Sequence, residues 1–588
     1  MQRLKDKSFC LLLQIIFCLN FCFPDVQAAI IFSDTLVLKP GECVPLAGKD
    51  NDRRPFIWTT GNQDIANIES VFGKPTVCGV LEGITYVSGS TINGEGQHKL
   101  IIRVIPDPAS FIAGTRPKPP YRNSVDADIE EILLEVMNGY TGVNIDTKLD
   151  ISENKRYLVY RNTTKPFLFL SQTLWSMTRR LSREQIIQVL DICKEQGFTA
   201  IQLIAHSHYM GPNIYGKTPV ENENFLRPVV TAGNNPKDPE EYDWWDHLEF
   251  IINECIKREM FICLLPTWRE QWNHNKNLHE NNAFAYGKFI GQRYRRYNPW
   301  IIWVMGGDEA PDTPLKLNIH RELARGLAWG INGKEEYTNI LMTYHTHGPT
   351  STTDYMPENE PFMDFNTIQS GHNINNLEGM IERSFQAQNK PVMDFEPYYT
   401  KDGKTTHEAR TAIYWGIFSG GFGNSSGSWN LWHCGERNDL GEFKIPQSFF
   451  EGFGTQIRHL GRLLTEYPML LMEPDQEFLV NNQTKGADRI LACTAPDKSY
   501  ALVYTPHGAP FMADLTMANG KRINWYWFNP RTGETIKKGS LRKRNTPQVF
   551  TPPTNGPRFS GNDWVLIIIG QTTAKTKWVS GQRKDDSD

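Results

Sequence analysis

The spacing of apolar and polar positions along this chain changes twice. Over 29–107, short stretches alternate with a period near two: "TLVLKPGECVPL", "FIWTTGNQDIANIES", "GITYVSGSTI" and "HKLIIRVIP", broken by Gly, Asp and Asn. That rhythm predicts a small β-sandwich. Over 149–468 it gives way to short apolar runs set between stretches of helical spacing, the pattern of repeated βα units. The runs are "PFLFL" from Pro166, "AIQLI" from Ala200, "FICLL" from Phe261, "IIWVM" from Ile301, "ILMTY" from Ile340, "FNTIQ" from Phe365, "PVMDF" from Pro391 and the polar, Gly-rich "GNSSGSW" from Gly423. Between them, "SREQIIQVLDICKEQG" opens on a Ser cap and closes on Gly, as a helix should. Eight strands with intervening helices predict an α/β fold, a (β/α)8 TIM barrel. Alternation returns over 469–571 in "RILACTA", "SYALVYTP", "INWYWFNP" and "DWVLIIIG", predicting a second β-sandwich. The proline-rich "PDPASFIAGTRPKPPYRNS" marks 108–148 as a linker, and 572–588 is a polar tail.

Composition narrows the possibilities. The 588 residues are 39% hydrophobic and 22% charged, ordinary for a globular protein with several domains. A net charge of −4 argues against a nucleic-acid partner, which needs a basic surface. Residues 1–28 place Arg3, Lys5 and Lys7 before an apolar stretch that ends at Val26-Gln27-Ala28, a secretory signal. The predicted location is therefore exported, in the periplasm or outside a bacterial cell, with no transmembrane segment in the mature chain. Of the 10 cysteines, Cys10, Cys18 and Cys22 fall in the leader. Cys43 and Cys78 are close enough in sequence to pair in an oxidising compartment, and the others show no CxxC spacing. The oligomeric state is left open.

In barrel enzymes the chemistry lies at the C-terminal ends of the strands. The residues after the apolar runs here are Gln172 and Trp175, His206 and His208, Trp268, Asp308 and Glu309, His345 and His347, Gln369 and His372, Asp394 and Glu396, then Ser428, Trp429 and Trp432. The set is rich in carboxylates, imidazoles and indoles. No phosphate-binding glycine loop accompanies it, which disfavours a phosphorylated substrate. Two acids on separate strands among aromatic rings suit glycoside cleavage, in which one carboxyl protonates the leaving oxygen and the other attacks carbon or activates water. Trp and Tyr faces can stack on sugar rings.

The motifs "KPFLFLSQTLW", "GFTAIQLI", "WIIWVMGGDEAPD", "MTYHTHG", "DFNTIQSGH", "KPVMDFEPYY" and "YWGIFSGGFGNSSGSWNLW" resemble, in this order, the apiosidase-like glycoside hydrolases. That family pairs a (β/α)8 barrel with a β-domain named for collagen binding, and "FTPPTNGPRFSGNDWVLII" looks like the close of the latter. The N-terminal "W-x-x-x-x-x-D-I-A-x-I" and "V-x-G-V-x-x-G" patterns resemble bacterial immunoglobulin-like modules. The resemblance implies a secreted, retaining glycosidase that acts on a complex carbohydrate without a cofactor, with Asp308 and Glu396 as its catalytic pair. Gln172 stands where the family usually has Asp, a departure that bears on the sugar bound. Substrate contacts are expected from Gln172, Trp175, His206, His208, Trp268, His345, Gln369, His372, Asp394, Tyr398 and Trp429.

Plainer readings compete. A carboxylate at a strand end is often a helix cap or a solvated loop charge, and Glu309, Asp312 and Glu442 are assigned to that reading. Asp394 shares alternation with Glu396 and can hydrogen-bond within the site. Residues two apart on a strand point the same way, so His206–His208 and His345–His347 can each hold a metal. A metal-dependent hydrolase is thus one alternative, and a non-catalytic carbohydrate-binding barrel is another. The pairs follow the second and fifth runs, whereas metal-dependent amidohydrolase barrels place theirs on the first. Sugar-hydroxyl contacts are therefore the favoured role, with no metal expected.

Overall fold

The computed structural model describes residues 144–206, 211–371, 377–400, 406–434, 453–482, 484–543 and 546–570, together with 35–38, 43–46, 57–60, 66–71, 74–79, 83–90 and 97–104. Two compact units divide at 122. In the first, Thr35–Leu38, Gln97–Val104, Gly83–Ser90 and Ile57–Thr60 form one sheet. Cys43–Pro45, Lys74–Gly79 and Ala66–Val71 form a second, in which Cys43 is the register partner of Cys78.

The second unit is built on a curled sheet of nine strands. Eight of them arise from the runs named above: β1 (Phe169–Thr173), β2 (Ala200–Ile204), β3 (Phe261–Leu265), β4 (Ile301–Gly306), β5 (Leu341–His345), β6 (Asn366–Gln369), β7 (Val392–Asp394) and β8 (Gly423–Ser426). Their order is β5-β4-β3-β2-β1-β8-β7-β6, each pair parallel, and Thr350–Ser351 adds a short antiparallel edge to β6. No ladder joins the end strands β5 and β6. Single hydrogen bonds do: Asp364 N–H to Met342 O (3.0 Å), Met342 N–H to Asp364 Oδ2 (2.7 Å) and Thr343 Oγ1 to Phe365 O (2.7 Å).

Alternation along each strand separates two cores. Phe169, Ala200, Ile204, Phe261, Leu265, Ile302, Val304, Leu341, Met393 and Phe395 fill the inside of the curl. Leu170, Ile201, Leu203, Ile262, Leu264, Trp303, Met305, Met342 and Val392 face the helices. Those helices are α1 (Arg183–Glu195), α2 (Trp244–Lys257), α3 (Glu280–Arg293), α4 (Pro314–Asn332), α5 (Met380–Gln388), α6 (Thr406–Phe418) and α7 (Phe453–Glu466). Ser182 caps α1 with a complete capping box, the local reason the helix starts there. Both strand faces are buried, so β3 reads as a continuous apolar run and β2 as one broken only by Gln202.

The β-rich C-terminal region carries a six-stranded and a three-stranded sheet around Phe511, Ile523, Trp527, Phe550 and Leu566. The outer face of its larger sheet packs on α6, where Tyr414 stacks on Tyr504 with centroids 4.7 Å apart. Arg410 of α6 donates to both carboxylate oxygens of buried Asp563 at 2.7 and 2.6 Å. Among the described residues, no helix is long and apolar enough to cross a membrane.

Candidate active site

Strand β4 ends in Gly306 at φ 85°, and Gly307 at φ 118° and Asp308 at φ 54° follow it. A Cβ on Gly307 would lie 2.7 Å from Trp268 Cε3, so glycine lets the chain turn beneath that indole. Asp is among the few residues that tolerate the left-handed region, at a cost of roughly 1–2 kcal/mol. The turn brings the Asp308 N–H to Nδ1 of His345 at 3.1 Å. His345 is the last residue of β5 and shares the inward parity of Leu341 and Thr343.

That hydrogen bond fixes the tautomer. Nδ1 accepts, so the ring proton resides on Nε2, which lies 3.3 Å from Glu396 Oε2, close but off the hydrogen-bond axis. Burial lowers the His345 pKa to about 4, against the pull of Asp308, so the imidazole is neutral near pH 7. Rings surround it: Trp175 and Trp268 each at 5.5 Å and Phe395 at 5.9 Å, with Trp175 and Trp268 4.7 Å from each other.

Arg269 forms the other side of the site. Its Nη1 lies 2.6 Å from Asp308 Oδ2 and 3.1 Å from the Asp308 carbonyl oxygen. Gln369 Nε2 donates to Asp308 Oδ1 at 3.1 Å. Burial and then the nearby Glu396 raise the Asp308 carboxyl above its ordinary range, opposed by Arg269, His345 and Gln369. Burial pushes Glu396 up to about 7, with Arg269 again opposing. A carboxylate in contact with a guanidinium normally falls in pKa, so desolvation and the second carboxylate outweigh the cation here.

Asp394 is fully buried behind Glu396. It accepts from Ser370 Oγ (2.5 Å), Ser370 N–H (3.3 Å) and Glu396 N–H (3.2 Å), so it fixes the backbone that carries Glu396. Burial raises its pKa to about 7. Tyr399, absent from the sequence-based candidates, bonds Thr173 Oγ1 at 2.8 Å, and the charges of Glu396, Asp394 and Asp308 all act on its hydroxyl. Its neighbour Tyr398, the tyrosine expected to contact substrate, donates to Glu408 of α6 at 2.9 Å. Tyr398 belongs to the helix-side core.

The structure thus brings together Asp308, Glu396, His345, Gln369, Trp175, Trp268 and Asp394, and adds Arg269 and Tyr399. Other candidates fall elsewhere. Gln172 has the outward parity of Leu170 and Leu174 and bonds the Thr173 carbonyl at 3.3 Å, because an even step along β1 faces the helices. His206 stacks on Phe225 at 4.9 Å. His347 bonds Thr350 Oγ1 at 3.1 Å. Glu309 and Asp312 both pair with Lys316, at 3.1 and 2.9 Å, near the start of α4. His208, His372, Glu442 and the side chain of Trp429 lie outside the described residues.

The family profile described as "Apiosidase-like, catalytic domain" matches residues 152–470, and that described as "Putative collagen-binding domain of a collagenase" matches 473–569. A solved structure titled "Glycoside hydrolase" is 28% identical with a TM-score of 0.63, over 72% of this chain and 97% of its own. A glycoside hydrolase family 5 protein from Bacteroides vulgatus ATCC 8482 is likewise 28% identical with a TM-score of 0.62, over 72% of this chain and 93% of its own. No curated protein matches the chain.

Proposed function

The chain belongs to the apiosidase-like glycoside hydrolases, and we propose that it cleaves a glycosidic bond in a complex poly- or oligosaccharide through Asp308 and Glu396. The observation that carries this is the coupling of the two carboxyl residues through one neutral imidazole, His345, under a roof of Trp175 and Trp268. Both pKa values lie above the ordinary carboxylate range, which favours a pair holding one proton near neutrality. Glycoside cleavage needs one acid and one anion.

Asp308 is the acid and Glu396 the nucleophile of a retaining mechanism. Arg269, 2.6 Å from Asp308 Oδ2, is the cation placed to set how the pair divides a proton. Arg269 opposes protonation of both groups. Weakening of the Arg269–Asp308 contact would favour a proton on Asp308 and suit it to the acid role. The curled sheet is read as a closed (β/α)8 barrel over 149–468, flanked by β-sandwiches over 29–107 and 469–571. Residues 1–28 direct export.

The test is release of reducing sugar from a panel of plant and microbial oligosaccharides by the purified chain, unchanged after EDTA dialysis and lost in Glu396→Gln. Activity that EDTA abolishes and zinc or manganese restores would move the protein to the metal-dependent hydrolases. Sugar binding without turnover would make it a binding module.

A further inference from the structure

A cleft of about 440 Å³ opens in the β-rich C-terminal region, within the usual size range of small-ligand sites. Asp488, Pro506, His507, Pro510, Asn555 and Arg558 line it. Its walls are held in place by backbone contacts. Gly556 N–H donates to the His507 carbonyl at 3.1 Å, and Gly508, at φ 71°, leaves no room for a Cβ beside the Thr554 carbonyl. A preformed cleft spares a ligand the cost of ordering it.

The chemistry of the walls is polar without net charge. Arg558 Nε lies 2.7 Å from Asp488 Oδ1, and its Nη2 meets Oδ2, so cation and anion cancel. His507 is more than nine-tenths buried, and its Nε2 donates to the Ala487 carbonyl at 2.7 Å. Burial lowers its pKa, so the ring is neutral and Nδ1 is an acceptor. That nitrogen has no partner within the protein. Asn555 and Arg558 are exposed. An anion would need an uncancelled cation, whereas a hydroxyl-rich ligand can donate to Asp488, exchange hydrogen bonds with Asn555, and rest its C–H faces on the two prolines.

The cleft also lies toward the catalytic face. Helix α6 follows β7, so its first turn stands at the strand end that carries Glu396. In that turn His407 Nε2 lies 2.9 Å from the Pro506 carbonyl, and Glu408 accepts from Tyr398, two residues beyond Glu396. We propose that this cleft is an uncharged-carbohydrate subsite that holds a part of the substrate chain remote from the bond cleaved. The choice of ligand class rests on the glycosidase reading.

Binding is measured with full-length Glu396→Gln protein. The probes are neutral xylan, mannan, galactan and arabinan fragments, oligogalacturonates, and a triple-helical Gly-Pro-Hyp peptide. Adding Asn555→Ala and Arg558→Ala, or separately Asp488→Ala, should weaken retention of a neutral fragment by about tenfold, the size of one or two lost hydrogen bonds. Asn555→Ala/Arg558→Ala with the carboxyl pair intact should hydrolyse a small aryl glycoside at the wild-type kcat. Unchanged retention in both cleft variants, or retention of only the oligogalacturonates or the peptide, would overturn the proposal. If no glycoside is cleaved yet the cleft variants lose sugar, the catalytic reading fails and the subsite stands.

Discussion

The backbone N–H of Asp308 donates to Nδ1 of His345, and this one bond sets the orientation of the whole site. It fixes the imidazole proton on Nε2, facing Glu396. It also anchors a residue held at φ 54°, a conformation that needs local support. Position and charge state are therefore determined together.

Asp308→Asn and Glu396→Gln should each lower kcat by at least about 10²–10⁴-fold, the usual worth of proton transfer, and KM should move far less. Neither amide can donate a proton as an acid or attack carbon, yet each preserves side-chain shape. Steady-state kinetics on folded protein checks this. Near-wild-type turnover in either variant would remove that residue from the pair.

Glu396 should also cost the fold stability at alkaline pH. Its folded pKa, about 7, lies above the ordinary 4.5. Between those values the folded protein keeps a proton that the unfolded chain has released, so stability falls as pH rises through that window and levels off above it. Glu396→Gln cannot ionise and escapes the loss. Its advantage over wild type should be absent near pH 4 and reach about 1–3 kcal/mol at pH 8. Thermal unfolding at the two pH values measures the difference, and equal Tm shifts at both would contradict a raised Glu396 pKa.

Arg269 holds down the pKa of both carboxyls. Arg269→Met should therefore move both limbs of the bell-shaped kcat/KM profile to higher pH, by about one unit. Arg269→Lys, which keeps the charge but not the two-point contact with Asp308, should shift them less. Limbs that stay in place in Arg269→Met would exclude Arg269 from setting the proton distribution.

What the sequence made legible follows from what each residue bonds to. β2, β3 and β4 are buried on both faces, so their apolar runs coincide closely with the strands. β1 begins at Phe169, three residues past the start of "PFLFL", because Phe167 N–H is taken by Leu158 O of a preceding hairpin. β8 is a polar strand whose Ser425 hydroxyl bonds Gln202 across the interior, so burial left no hydrophobic mark on it. Asp308, Glu396 and His345 could be found because each ends a strand motif. Arg269 could not be, since its partner Asp308 arrives from a different strand. Tyr399 was separable from Tyr398 only once the turn after β7 was seen.

The stereochemical outcome rests on the spacing of the pair. Both residues close on His345, from its backbone-bonded side through Asp308 and from its Nε2 side through Glu396 Oε2 at 3.3 Å. We propose the retaining arrangement, a carboxyl separation of about 5–5.5 Å, over the about 6.5–9.5 Å that admits a nucleophilic water. On that spacing Glu396 would bond to the anomeric carbon as Asp308 gives its proton to the leaving oxygen. In the second step Asp308 would take a proton from water, which displaces Glu396. Proton NMR of the first-formed product should show the anomeric configuration of the substrate, before mutarotation. An inverted product would make Glu396 the base that activates water, and would leave Asp308 as the acid.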